Sequence, residues 1–314
     1  MKDNIKDILE IVIPVFNEEE VLQFTISRIR KLKEESSNFL QVKYIFVDDG
    51  SSDRTSSILR DEVRNDDSMT VLMLSRNFGH EMALMAGLDF ANADYIGMID
   101  GDLQDPPELL IKMYLKAKEG YDVVYGRRES RFGETKFKKI SAAIFYRLLN
   151  YLCDVDLPRD AGNFRVISRR VLLKLKLFRE KYRYTRGLIP WIGFSSYSIK
   201  YNRQARVAGK TKYPLRAMIR YASNAIFSFS SKPLRIATRF GALIVLFGLI
   251  FGVYVIFLKL FTNVVVPGLA AILVTIIIFG GMQILVTGLV GEYIARVFEE
   301  VKKRPPYIVK EIIN

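Results

Sequence analysis

Residues 95–107 read YIGMIDGDLQDPP. A short apolar run ends at Asp100, a second carboxylate follows at Asp102, and two prolines lead into the periodic stretch 107–118. An apolar run of this length bounded by turn residues reads as a buried strand, and proline suits the first turn of a helix. The spacing therefore predicts a strand over 95–99, an acidic loop, and a helix over 107–118. The same punctuation recurs upstream. Strands are expected over 8–14, 42–47 and 70–74, and a further one over 122–125. Helices are expected over 18–35, with Val21, Phe24, Ile29 and Leu32 apolar, over 53–63 and over 79–91. Ser51, Ser52 or Asp53 is placed to cap the second of these. Strands alternating with helices predict an α/β fold with a mostly parallel sheet and helices on both faces.

In such sheets ligands sit beyond the carboxyl ends of the strands. Past the first strand lie Pro14, Phe16, Asn17 and Glu18; past the second, Asp48, Asp49, Gly50, Ser51 and Asp53. Past the fourth lie Asp100, Gly101, Asp102, Gln104 and Asp105, and past the fifth Gly126 and Arg127. Acidic and polar groups thus gather on one edge. No GxGxxG and no Walker pattern occurs, so the usual dinucleotide and P-loop cradles are excluded. Asp100-Gly101-Asp102 is the sharpest feature. Two carboxylates separated by one small residue can hold a hard divalent cation, which takes oxygen ligands and often completes its shell with substrate phosphates. A solvated turn is the plain alternative.

Charge divides the 314 residues into thirds. Residues 1–126 carry a net −10, residues 127–220 a net +18, and 236–291 hold only Arg239 and Lys259. The acidic part suits a cation; the basic part suits phosphates or an anionic membrane surface. Two uncharged runs, 240–258 and 264–291, are long enough to span a bilayer, with two buried core helices as the alternative. Gly241, Gly248, Gly252, Gly280, Gly281, Gly288 and Gly291 would let the two helices approach closely. Lys232, Arg235 and Arg239 precede the first run, and Arg296, Lys302, Lys303 and Arg304 follow the second. The positive-inside rule then puts both ends in the cytoplasm. The N-terminal stretch is mixed in charge and does not read as a signal peptide. Residues 214–235 read as an amphipathic helix lying in the membrane interface; 138–152 is either a second such helix or an ordinary surface helix. One cysteine, Cys153, leaves no intramolecular disulfide. The +18 segment contains no recognised nucleic-acid-binding motif, and the spans hold no charge pair of the kind a transporter uses.

The stretches IVIPVFNEEE (11–20), VDDGSSDRT (47–55), LSRNFGHEMALMAGLD (74–89) and DGDLQDPPE (100–108) resemble family-two glycosyltransferases of the GT-A fold. The likeness is to the polyprenyl-phosphate branch, which includes dolichyl-phosphate mannosyltransferase and undecaprenyl-phosphate glucosyltransferases. It extends through GNFRVISRR (162–170), RGLIPWIGF (186–194), RVAGKTKY (206–213) and the paired spans to 311. The resemblance implies a GT-A domain over 1–213, the interfacial helix 214–235, a two-helix hairpin 236–291 and a cytosolic tail 292–314. It implies that Pro14, Phe16, Glu18, Val47 and Asp49 line the nucleotide, with Asp100 and Gly101 beside them. Asp102, Asp100 and Gln104 would hold Mg²⁺ or Mn²⁺. Arg127, Arg206 and Lys212 would meet phosphate or sugar, with Lys210 in the same basic loop. The partners implied are a nucleotide diphosphate sugar, most simply a UDP-sugar, undecaprenyl or another polyprenyl phosphate, the cytoplasmic membrane, and further copies of the chain. Many relatives carry Asp where this chain has Asn163; Asp160 is the nearest carboxylate and the substitute candidate for a base or an acceptor-orienting group. His80, the only histidine, stands where several relatives have Lys and reads as a packing or hydrogen-bonding residue.

Overall fold

The computed structural model describes residues 6–129, 161–178, 180, 181, 183–202, 230–261 and 268–314. The chain divides into two compact units, one made of residues 1–151, 155–225 and 305–314, the other of 152–154 and 226–304.

The first unit is built on an eight-stranded mixed sheet. Its strands are β1 (Asp7–Val15), β2 (Leu40–Asp48), β3 (Met69–Leu74), β4 (Tyr95–Met98), β5 (Val123–Arg128), β6 (Ala161–Ser168), β7 (Ser196–Tyr201) and β8 (Val309–Ile313). They lie in the order β7-β5-β6-β4-β1-β2-β3-β8. The segment β4-β1-β2-β3 is parallel throughout. β6 is antiparallel to both β4 and β5, while β5 and β7 are parallel. The helices are α1 (Leu22–Ser36), α2 (Thr55–Val63), α3 (His80–Phe90), α4 (Leu109–Lys118), α5 (Arg169–Leu175) and α6 (Thr185–Ile192). From Ile11 in β1 and Tyr44 in β2 to their carboxyl ends, both strands are buried on both faces, as strands covered on both sides are. Leu9, Ile11, Ile13, Tyr44 and Phe46 pack in one cluster with Leu22, Ile26 and Ile29 of α1 and with Leu110 and Tyr114 of α4. Against β1 and β2, α3 lies very close. A Cβ on Gly87 would fall 2.3 Å from Val12 Cγ1 and 3.0 Å from Val47 Cγ2, so a glycine there sets the seat of α3.

The expected elements of the first 126 residues form, with shifted ends. α1 begins at Leu22 rather than 18. Asn17 takes a positive φ of 52°, and the Glu18 carbonyl accepts both the Val21 and the Leu22 amide, which makes a turn ahead of the helix. The end of the chain differs from the tail expected over 292–314. Its helix runs on to Val301, and Val309–Ile313 then pairs antiparallel with β3. The Ser75 amide donates to the Ile308 carbonyl at 2.9 Å. Arg60 of α2 forks onto Glu311 at 2.8 and 2.5 Å.

The second unit contains two long helices, α7 (Lys232–Phe261) and α8 (Leu269–Val301). Both are long and apolar enough to cross a membrane, with candidate spans over Lys232–Leu258 and Thr275–Val301 whose most apolar windows hold no buried residue. Exposed Phe247, Phe251, Phe257, Ile277 and Leu285 are out of place in water, and this argues against the core-helix alternative. At 1.5 Å per residue, the 33 residues of α8 are longer than the roughly 30 Å hydrocarbon layer. Its last turns hold Glu292, Arg296, Glu299 and Glu300, beyond the uncharged run. Among the described residues, nothing lies within 4 Å of where a Cβ would stand on Gly241, Gly248, Gly252, Gly280, Gly281, Gly288 or Gly291, the glycines expected to allow close helix approach. The amphipathic stretches 138–152 and, up to residue 229, 214–235 lie outside the described residues, as does Cys153.

Candidate active site

The carboxyl ends of β1, β2 and β4 carry three loops, and the sequence stitches the first two together. The Asn17 amide donates to Ser51 Oγ at 2.9 Å, and the Ser52 amide to Asn17 Oδ1 at 2.8 Å. Next along, the Glu18 amide donates to Thr55 Oγ1 at 2.9 Å, while Asp53 receives the amides of Glu19 and Thr55. Asp53 is thus the residue that holds the start of α2, and these donors keep its carboxyl below the ordinary range despite some burial.

Asp48 and Asp49 are each only 2% exposed. Asp48 accepts from the Ser51 amide and the Ser56 hydroxyl. Asp49 accepts from the Phe78 and Gly79 amides at 2.7 and 2.8 Å. Burial pushes the Asp49 carboxyl upward, with the neighbouring Asp48 charge adding to it. Gly50 sits at φ 68°, where a Cβ would fall 2.5 Å from the Arg76 carbonyl carbon. The loop after β2 therefore clamps the loop that opens α3.

The Asp100-Gly101-Asp102 turn leaves β4 differently. A Cβ on Gly101 would stand 2.8 Å from Val15 Cγ1, which is the physical reason for a residue without a side chain between the two carboxylates. Thr25 Oγ1 of α1 donates to the Gly101 carbonyl at 2.9 Å. Leu103 is buried at φ 55°, and the Gln104 amide turns back to Asp102 Oδ1 at 3.2 Å. Asp100 keeps 24% side-chain exposure and meets His80 Nε2 at 2.9 Å. Burial works to lower the imidazole, but the Asp100 charge and hydrogen bond outweigh it and hold it up to about 9. Asp105, fully buried, receives the Tyr201 hydroxyl at 2.6 Å and faces Arg128 Nη2 at 3.8 Å.

The expected site residues distribute as follows. Asp100, Asp102 and Gln104 share one partly exposed turn, with Phe16 and Glu18 half-buried at the end of the adjacent strand. Pro14, Gly101 and Val47 are buried, so their side chains are packing and only their backbone can face a ligand. Arg127 is exposed, and its neighbour Arg128 is the one turned toward Asp105 and Tyr201. Side chains alternate along a strand, which gives the Arg127-Arg128 pair opposite aims. Asp160, Arg206, Lys210 and Lys212 lie outside the described residues. Asn163, Glu81, Thr185 and Arg186 form a hydrogen-bonded set that sequence reasoning did not assemble. The packing or hydrogen bond expected of His80 is a hydrogen bond to Asp100.

Among the described residues no three or more His, Cys, Asp or Glu side chains converge to hold a metal. Asp100 and Asp102 still suit a hard cation of the kind that takes one or two carboxylates and fills its shell with phosphate oxygens and water. The partial exposure of both carboxylates leaves them accessible to such a cation.

A mixed sheet whose parallel centre ends in an Asp-Gly-Asp turn, with helices on both faces, is the architecture of a GT-A glycosyltransferase. The chain belongs to glycosyl transferase family 2, whose model matches residues 10–176. It is 43% identical over 301 residues to an uncharacterized glycosyltransferase of Bacillus subtilis, covering 96% of this chain and 93% of the relative. It is 36% identical over 304 residues to the prophage bactoprenol glucosyl transferase homolog of Escherichia coli K12, covering 97% and 99%. Among solved structures, mannosyl-3-phosphoglycerate synthase from Rubrobacter xylanophilus superposes at TM-score 0.47 with 17% identity, covering 74% of this chain and 75% of that one. The protein is an enzyme that transfers sugars.

Proposed function

We propose that the protein transfers a sugar from a nucleotide diphosphate sugar, a UDP-sugar in the simplest case, to undecaprenyl or a related polyprenyl phosphate at the cytoplasmic face of the membrane. One observation carries this reading. An Asp-Gly-Asp turn on a glycosyltransferase sheet shares a chain with two long apolar helices, and the Escherichia coli relative named for bactoprenol aligns with 97% of that chain. An enzyme rooted in the bilayer suits an acceptor rooted there too.

The chemistry is a single displacement. A phosphate monoester has its second pKa near 6, so its oxygen is largely ionised at neutral pH and needs little help from a base. That oxygen bonds to the anomeric carbon as the bond to the donor diphosphate breaks, and the nucleoside diphosphate leaves with the electron pair. Attack opposite the leaving group inverts the anomeric centre. The loop after β1, through Phe16 and Glu18, holds the nucleotide. Asp102 and Asp100, with Gln104, would hold Mg²⁺ or Mn²⁺. Such a cation supplies Lewis-acid neutralisation of the departing diphosphate. The strong base expected of a hydroxyl-transferring enzyme is then unnecessary, consistent with an uncharged Asn163.

Chain order supports the topology. β3 precedes the hairpin and its partner β8 follows it, so the number of crossings between them is even. With the basic residues flanking both helices, the sheet unit and the two ends of the hairpin belong on the cytosolic side. The test incubates the purified full-length chain, reconstituted in bilayer, with undecaprenyl phosphate, MgCl₂ or MnCl₂ and labelled UDP-glucose, UDP-N-acetylglucosamine or UDP-galactose. A lipid-linked sugar of the expected mass is the supporting result. No lipid product with any donor, alongside transfer to a glycan hydroxyl, would overturn the reading.

A further inference from the structure

The first two residues of α3 reach to different partners. While His80 meets Asp100, the Glu81 carboxylate receives Asn163 Nδ2 at 3.1 Å and the Thr185 hydroxyl at 2.7 Å. Asn163 is 2% exposed. A carboxylate only accepts, so the end of the amide facing Glu81 is its NH₂ group, and the amide oxygen must face the other way. That oxygen receives Arg186 Nε at 3.1 Å. Thr185 Oγ1 is also 3.3 Å from it, but the hydroxyl has one proton and the shorter bond to the carboxylate claims it. The result is a chain of fixed polarity from Glu81 through Asn163 to Arg186.

The near end of this chain adjoins the site: Glu81 follows His80 in α3, and His80 Nε2 meets Asp100 Oδ1 at 2.9 Å. β4 and β6 pair with Met98 opposite Arg165, two residues short of Asp100 on one strand and two residues past Asn163 on the other. An aspartate at 163 would set a second carboxylate against Glu81 and would neutralise Arg186 directly. An asparagine passes on the orientation without adding a charge of its own. Guanidinium groups of fixed aim recognise phosphate through paired hydrogen bonds.

We propose that Glu81 is a positioning residue that, through Asn163, aims Arg186 at a phosphate oxygen of a substrate. The proposal rests on the site reading above. The shared chemistry is phosphate, and two sources are possible: the donor diphosphate and the lipid acceptor.

The test uses the full chain in bilayer and compares Glu81→Gln, Arg186→Lys and the double variant, with Asp102→Ala in parallel. Glutamine presents an NH₂ group where the carboxylate accepted, so it must either clash with Asn163 or turn its amide over. Glu81→Gln should raise the KM of one phosphate-bearing substrate on the order of tenfold to a hundredfold, with the other KM and the thermal midpoint unchanged. Arg186→Lys should raise the same KM. The double variant should be no worse than Arg186→Lys alone, because residues acting through one another are not additive. A rise confined to undecaprenyl phosphate assigns Arg186 to the acceptor; one confined to the UDP-sugar assigns it to the diphosphate. Unchanged KM values in Glu81→Gln, losses that multiply in the double variant, or a loss that tracks a falling thermal midpoint would each overturn the proposal. Turnover retained by Asp102→Ala would instead sink the site reading. Inactive Asp102→Ala beside a normal Glu81→Gln would remove only the relay.

Discussion

Two acidic turns leave neighbouring parts of the same sheet edge. Asp48-Asp49 follows β2 and Asp100-Gly101-Asp102 follows β4, and on paper both are carboxylate pairs past a strand. In the folded chain Asp48 and Asp49 are buried and spend their oxygens on Ser51, Ser56, Phe78 and Gly79. Asp100 and Asp102 keep part of their surface, and the glycine between them is pressed against Val15 and Thr25. The first pair builds loops, while the second is presented by loops. Proximity to a sheet edge therefore does not by itself make a carboxylate accessible to a ligand; the two turns differ in how much of each carboxylate stays exposed.

The largest expected effect tests the presented pair. Asp102→Asn should lower transfer by on the order of a thousandfold or more, the scale of lost Lewis-acid help. Its thermal midpoint should stay within about 1 °C, since a partly exposed substitution away from the core costs at most about 0.5 kcal/mol. An unfolding scan beside a lipid-linked sugar assay measures both. Chelation with EDTA should abolish turnover and Mn²⁺ or Mg²⁺ should restore it; EDTA-resistant turnover would break the contrast.

Asp49→Ala should show the reverse ratio. Two amides lose their acceptor in a buried place, and each buried unsatisfied group costs about 1–3 kcal/mol. Chemical denaturation should therefore report several kcal/mol of lost stability, and the residual activity should track the folded fraction.

A third acidic group sharpens the structural side. Asp66, nearly buried, is bonded to Tyr44, Arg30 and Lys33. Burial alone would raise it, but those three donors hold it well below the usual carboxylate range. A carboxyl depressed in the folded state stabilises at pH above its unfolded value, near 3.9, and that contribution fades as pH falls below it. Asp66→Asn should cost about 2 kcal/mol at pH 7, with the gap to the parent closing below about pH 4. The smallest effect is expected at the sheet's end. Arg60→Ala removes the fork to Glu311, in which both side chains remain about 40% exposed, and should cost less than about 1 kcal/mol. Hydrogen exchange in β8 should rise more than that in β2.

The parallel half of the sheet was legible because each strand there ends in its own punctuation: proline after β1, Asp-Asp-Gly after β2, Asp-Gly-Asp after β4. In the rest of the sheet β5 was legible too, but β6, β7 and β8 were not. β6 carries buried Asn163 and Arg165 among its apolar residues, which hides a strand's pattern. β8, VKEII, alternates weakly and becomes a strand by pairing with β3 far upstream, a contact no local window contains. The acidic turn was readable for the same local reason as the strands. The links from Glu81 to Asn163 and from Asn163 to Arg186 span 82 and 23 residues and needed the fold to bring them together.

That last strand has a consequence for how the molecule is made. Thr70 and Asn314 are hydrogen-bonded across 244 residues of chain, so the outer rim of β3 has no β8 to cover it until synthesis has passed through the whole hairpin. An open strand rim is a template for wrong partners. Nascent chains halted anywhere before Val309 should thus be the sticky ones, and the enzyme's own final residues are what seal it.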